Sequence, residues 1–287
     1  MAKETSKILR EYSLAPWGKQ RLQAYFDLNF DALRSGDAEA QKHLEEALRE
    51  VLPKQSQTGM KKMFTGKSPY AVLIHNLPER EGLENNQIPP DKSDSYSFHI
   101  ANALYRMHEL KPGASEELVR DEDTRAARGG TIHRDFQGWA GFAATYNGEH
   151  APTEIIDMPK AIRDASPQMR KLQINELKRF YSDGERHAVR GTLQDVLPQL
   201  RKEKDGEGTF LLVLAAADKR EDAKLEKILK PHSEMVDLQP GQLLLVNEHY
   251  IFHRGHMGHP ELVENAAHTR IMVRTSGVSS EHLAPSR

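Results

Sequence analysis

Apolar positions recur every three or four residues through the first sixty residues of the chain. In LQAYFDLNFDALRSGDAEAQKHLEEALREVLP, Leu44, Ala47, Leu48 and Val51 fall on one stripe, and Pro53 closes the run. That spacing predicts helices. The pattern changes at Lys67. SPYAVLIHNLPE is a short apolar run bounded by prolines and predicts a buried strand. Residues 79–94 are polar and rich in Pro and Asn, and read as a loop. YSFHIANALYRMHEL returns to the helical period, and the charged residues 111–128 read as a second loop.

From Gly129 onward the pattern is strand-like. GWAGFAATYN, TEIIDM and the strongly apolar GTFLLVLAA each predict a strand. Pro240-Gly241 predicts a turn, followed by a strand over 242–247, and TRIMVRTSG predicts a last strand of period two. Between them, residues 159–180 place Met169, Leu172, Ile174 and Leu177 at positions read as helical. Strands in this order with helices around them predict an α+β, mainly β fold: a double-stranded β-helix, or jelly-roll, core decorated with helices. Residues 1–66 are expected to pack as a helical segment on a core spanning 67–287.

Composition narrows the class. The chain has 287 residues, 38% hydrophobic and 29% charged, enough for one full hydrophobic core. No apolar run reaches the ~18–20 residues that span a membrane. The first twenty residues lack the apolar core of a secretory signal, so a cytoplasmic protein is expected. With no cysteine, disulfides, thiolate metal sites and cysteine nucleophiles are excluded. A formal net charge of −2 gives no reason to expect a nucleic-acid partner.

The chemistry concentrates in the 14 histidines. His133-Arg-Asp135 follows two glycines and lies among strands. Alternate residues of a strand share a face, so both side chains can reach one metal ion. His43-Leu-Glu45 and His232-Ser-Glu234 have the same spacing. The first reads as solvated helix surface and the second as part of a loop. VNEHYIFHRGHMGH then offers His249, His253, His256 and His259, of which one can supply a third ligand and the others read as surface. Two imidazoles and one carboxylate on one face of an octahedral ion leave three open positions, the facial arrangement of non-haem iron oxygenases, and they suit zinc as well. In HTRIMVR, Arg270 and Arg274 are four apart on one strand. They read either as outward charges or as two guanidiniums meeting carboxylates.

Taken in order over residues 67–277, these features resemble the Fe(II)/2-oxoglutarate-dependent dioxygenases of the taurine dioxygenase and clavaminate synthase type. In that superfamily a His-x-Asp/Glu pair is followed by a Thr in a short strand, a distal His after a PGDLLLVDN-like strand, and two arginines spaced by four. The resemblance implies that His133, Asp135 and His253 hold Fe(II). It implies that Arg270, with Thr153, binds 2-oxoglutarate and that Arg274 faces the substrate. The implied reaction uses dioxygen to hydroxylate or desaturate an unactivated C–H bond of a small carboxylate-bearing molecule such as a free amino acid. A jelly-roll zinc hydrolase and a non-catalytic jelly-roll binding protein are the two other classes consistent with these residues.

Overall fold

In a computed structural model of the chain, the described residues are 8–80, 91–112, 117–120, 132–134, 138–147, 150–180, 186–195, 210–216, 219–256 and 271–279. The helical period of the amino-terminal region becomes α1 (Pro16–Arg34), α2 (Ala38–Val51) and α3 (Lys54–Phe64). Pro16 opens α1, where its missing N–H costs nothing. The Asp37 side chain caps α2 by accepting from the Ala40 amide at 2.8 Å. Leu44, Leu48 and Val51 are buried on one face of α2, and His43 is exposed on another.

One short segment of this region departs from the helical reading. Leu9–Ser13 forms β1, which pairs in parallel with β2 (Ala71–His75). Five residues reading LREYS carry too few apolar positions to show a period, and the ladder with the apolar β2 decides their conformation. After α4 (Tyr96–Met107) the charged stretch read as a loop contributes β3 (Leu110–Pro112) and β4 (Glu117–Arg120). Both pair with the last strand through the backbone, which charged side chains do not prevent.

Next come β5 (Ile132–Arg134), β6 (Trp139–Tyr146) and β7 (Thr153–Asp157), the latter two as the sequence predicts. Residues 159–180 do not form the expected single helix. They divide into α5 (Met158–Asp164), α6 (Pro167–Arg170) and strand β8 (Gln173–Phe180). Ser166 caps a new turn and Pro167 cannot continue the preceding one. Leu172 and Ile174 are buried at a spacing of two, so the apolar set read as helical belongs in part to a strand. The chain continues through β9 (Arg186–Thr192), β10 (Phe210–Ala216), α7 (Lys219–Leu229), β11 (Ser233–Val236), β12 (Leu243–Asn247), β13 (Ile251–Gly255) and β14 (Ile271–Ser279).

The strands make two sheets. One runs β1-β2-β12-β6-β14-β3, with β4 also on β14; the other runs β11-β7-β13-β5-β10-β8-β9. Strand alternation sorts their side chains. Leu73, Phe142, Leu244, Val246 and Met272 of the first sheet meet Ile155 and Ile251 of the second in one apolar cluster, so these faces are inner. The outer face of the first sheet, with Val72, Ile74, Ala143 and Leu245, packs against Phe26, Leu44, Met63 and Leu104 of the helices. On the outer face of the second, Ile156 and Phe252 meet Ile162 of α5 and Leu225 and Leu229 of α7.

Gly277 shows how closely α4 approaches the first sheet. A Cβ there would stand 2.6 Å from Tyr105 Cδ1, inside van der Waals contact. Tyr105 is fully buried, and its hydroxyl lies 3.3 Å from Thr275 Oγ1. Gly277→Ala is expected to cost about 1–3 kcal/mol, read as a lower urea midpoint with an unchanged slope. A variant as stable as the parent would refute the close approach.

Candidate metal centre

The site is assembled by register. In the second sheet β13 lies between β7 and β5. His253 pairs directly opposite His133 on β5 and Ile155 on β7. Directly paired residues of an antiparallel ladder project to one side, so the two imidazoles share the inner face. Their ring centroids are 4.4 Å apart in an edge-on arrangement. Thr153 pairs with Gly255, two residues along from His253, and therefore lies on that same face; it is 3% exposed. His253 is buried and His133 half-buried.

The first sheet supplies the opposite wall. The Phe142 ring is 4.9 Å from that of His253. Arg274 on β14 pairs directly opposite Phe142, so its side chain leaves the sheet toward the same space. Arg274 is half-buried, with its Nε shielded from solvent. The structure thus brings together His133, His253, Thr153 and Arg274. Asp135 and Arg270, the other two residues singled out in the sequence, lie outside the described residues, and so does His259. Among the described residues, no three His, Asp or Glu side chains are grouped so as to hold an ion.

The remaining histidines of the cluster separate by position. His249 sits in the turn before β13, edge-on to Trp139 at 5.7 Å. His256 follows β13 and places Nε2 2.8 Å from Glu154 Oε2. Glu234, read as part of a loop, is in β11.

Sequence reasoning did not single out Glu248. It is fully buried in the turn between β12 and β13, and its Oε1 lies 3.1 Å from Nε2 of His253. A carboxylate placed inside the apolar run LLLVNEHYIF was the available signal.

Behind the site, on the outer face of the second sheet, Arg254 pairs with Glu154. Its Nε donates to Glu154 Oε2 and its terminal nitrogens to Glu226 of α7, one of them at 2.8 Å. Burial pushes the Glu154 carboxyl up. Hydrogen bonds from Arg254, Ser233 and His256, with the charge of Arg254, outweigh that and hold it below the usual carboxylate range. The guanidinium is raised in turn by its bonds to Glu226, against its own burial, and by those to Glu154.

No protein-family model matches the sequence, and no curated protein matches it. Solved structures do. The non-haem iron oxygenase OrfP in complex with Fe superposes with a TM-score of 0.52 at 12% identity, covering 95% of this chain and 94% of that one. OrfP with Fe and L-homoarginine gives 0.55 at 12% identity over 96% and 98%. An asparagine oxygenase in complex with Fe(II), 2S,3S-3-hydroxyasparagine and succinate gives 0.57 at 11% identity over 94% and 93%. At these identities the likeness is one of fold, and it extends over nearly the full length of each chain. It agrees with the resemblance read in the sequence.

The Arg254 network carries a stability prediction. Arg254→Met leaves a buried Glu154 without its main partner. The expected cost is about 3 kcal/mol at pH 7, at the low end for a broken buried pair because Glu226 is half-exposed. Glu154 titrates lower in the folded state than in the unfolded one. Its contribution is therefore present above the ordinary carboxylate range and is lost as pH falls through the folded value. The gap between parent and variant in urea denaturation should narrow on going from pH 7 to pH 4. A gap independent of pH would refute the assignment.

Proposed function

We propose that the chain is a non-haem Fe(II)/2-oxoglutarate-dependent oxygenase with a jelly-roll core, acting on a small carboxylate-bearing substrate of the amino-acid class. The observation that carries this reading is the direct pairing of His133 with His253 on a face shared with Thr153 and opposed by Arg274. The fold shared with iron oxygenases whose structures contain arginine, homoarginine or hydroxyasparagine supports it.

The residues fit the group. Two imidazoles converge in a largely buried space, the chain has no thiolate, and nitrogen and oxygen donors suit divalent iron. His133 and His253 would hold the ion, with Asp135, one residue beyond β5, as the carboxylate of a facial triad. Iron with 2-oxoglutarate and dioxygen would supply a two-electron oxidation of an unactivated C–H bond, coupled to oxidative decarboxylation of the keto acid to succinate and CO2, with dioxygen taking up all four electrons.

The chain's own residues bind, orient and exclude water. Arg270 and the Thr153 hydroxyl would take the far carboxylate of 2-oxoglutarate. The Arg274 guanidinium would take the substrate carboxylate through two parallel hydrogen bonds. Phe142, 2% exposed, walls the imidazoles from solvent. A dry wall at this point strengthens the electrostatic contacts around it.

Anaerobic addition of Fe(II) and 2-oxoglutarate to the apoprotein should give a weak metal-to-ligand charge-transfer band in the visible, absent with either alone. His253→Ala should abolish it. A panel of L-amino acids that includes arginine, homoarginine and asparagine should contain one that stimulates succinate release. Tightly bound zinc with no band would sink the reading in favour of a hydrolase.

The two arginines are separable. Arg274→Gln should raise the KM of that amino acid about 10–100-fold, the loss of a charged hydrogen-bond pair worth ~1.5–3 kcal/mol, and leave the band titration with 2-oxoglutarate unchanged. Arg270→Gln should do the reverse, and an exchange of the two outcomes would exchange the two roles.

A further inference from the structure

Glu248 has no place in the triad, yet its environment is unusual for a carboxylate. It is fully buried, and charged side chains are almost never fully buried unless paired. Its Oε1 is 3.1 Å from Nε2 of His253, itself 4% exposed. The turn that carries it is fixed from several sides. The Glu248 amide donates to the Gly138 carbonyl at 2.9 Å, and the Tyr250 amide to the Asn247 carbonyl at 3.0 Å. Asn247 is anchored by its side-chain amide on the Met63 carbonyl at 2.8 Å and by its backbone amide on the Tyr70 carbonyl at 2.9 Å. The backbone that carries the carboxylate is therefore held in place independently of the imidazole that it meets.

We infer that Glu248 is a positioning residue of the metal centre, setting the rotation and tautomer of the His253 ring. This rests on the metal-centre reading above. With the Glu248 oxygen as acceptor at 3.1 Å, the imidazole proton lies on Nε2 of His253, and the lone pair of Nδ1 is left for an ion. A carboxylate on one ring nitrogen and a metal on the other is a recurring arrangement, and it raises the basicity of the ligand. The ring has few other ways to lie, with Phe142 at 4.9 Å and His133 at 4.4 Å.

The test is the affinity of the apoprotein for Mn(II), followed by loss of the free-ion electron paramagnetic resonance signal. Glu248→Leu removes the acceptor and should weaken Mn(II) binding about 10–100-fold. Glu248→Gln keeps an acceptor oxygen at the same reach and should recover most of that loss. A space-filling role predicts parental affinity in every folded variant, and Leu binding as tightly as the parent would overturn the inference. Should the Leu variant fail to fold, the side-chain 15N shifts of His253 in the parental apoprotein decide. They must report one neutral tautomer, protonated on the nitrogen facing Glu248; the opposite tautomer or a mixture overturns the inference. Parental protein that binds no Mn(II) would instead overturn the metal-centre reading itself, whatever the tautomer.

Discussion

Strand β13 is held between β7 and β5 in a single register, and that register decides which side chains meet at the site. A slip of one residue would turn His253 to the outer face and Arg254 inward. The outer face resists such a slip. Arg254 stands directly opposite Glu154 in the ladder and reaches Glu226 on α7, while His256 closes on the same Glu154. These contacts exist in only one alignment. A guanidinium buried without them would be costly, whereas an apolar pair at the same place would tolerate a slide. The ion pairs behind the sheet thereby specify which imidazole faces its interior, although none of them reaches the site.

The helical layer supports the same region from the other side of the molecule. Met63, near the end of α3, receives the Asn247 side chain, and Asn247 leads into the turn of Glu248. Tyr250 of that turn stacks on Tyr70 at 4.3 Å, just before β2, and its carbonyl accepts from the Met158 amide at the start of α5. The end of α3, the residue leading into β2 and the start of α5 therefore converge on Asn247 and Tyr250, on either side of Glu248. A site built on loops alone would be set less accurately than one whose connecting turn is tied to three rigid elements.

Much of this was written in the local pattern. The helical stripes of α2 and α4 and the apolar runs of β2, β6, β7, β12 and β14 are periodic over enough residues to read. Alternation along those strands also tells which residues share a face once a register is known. What escaped is what periodicity does not encode. β1, β3 and β4 are short and polar, and their pairing energy lies in the backbone. Gln173–Phe180 was hidden because Leu172, Ile174 and Leu177 fit a helical reading almost as well as a strand, and Pro167 had to break the tie. Among His249, His253, His256 and His259 the spacing alone offers no ranking, and only the family resemblance points to His253. Pairing opposite His133 singles out His253, and that is a fact of the sheet. Glu248 was hidden for a related reason: it stands five positions before His253, and the turn folds that separation away.

The two walls of the site differ in charge, and the difference bears on what enters. The second sheet and its turn present two imidazoles with a buried carboxylate behind one of them, an environment favourable to a divalent cation. The first sheet presents a guanidinium beside an aromatic ring, an environment favourable to an anion. A bare cation would satisfy one wall and oppose the other. On the proposed reading, a carboxylate that chelates a metal at one end and meets an arginine at the other would satisfy both walls.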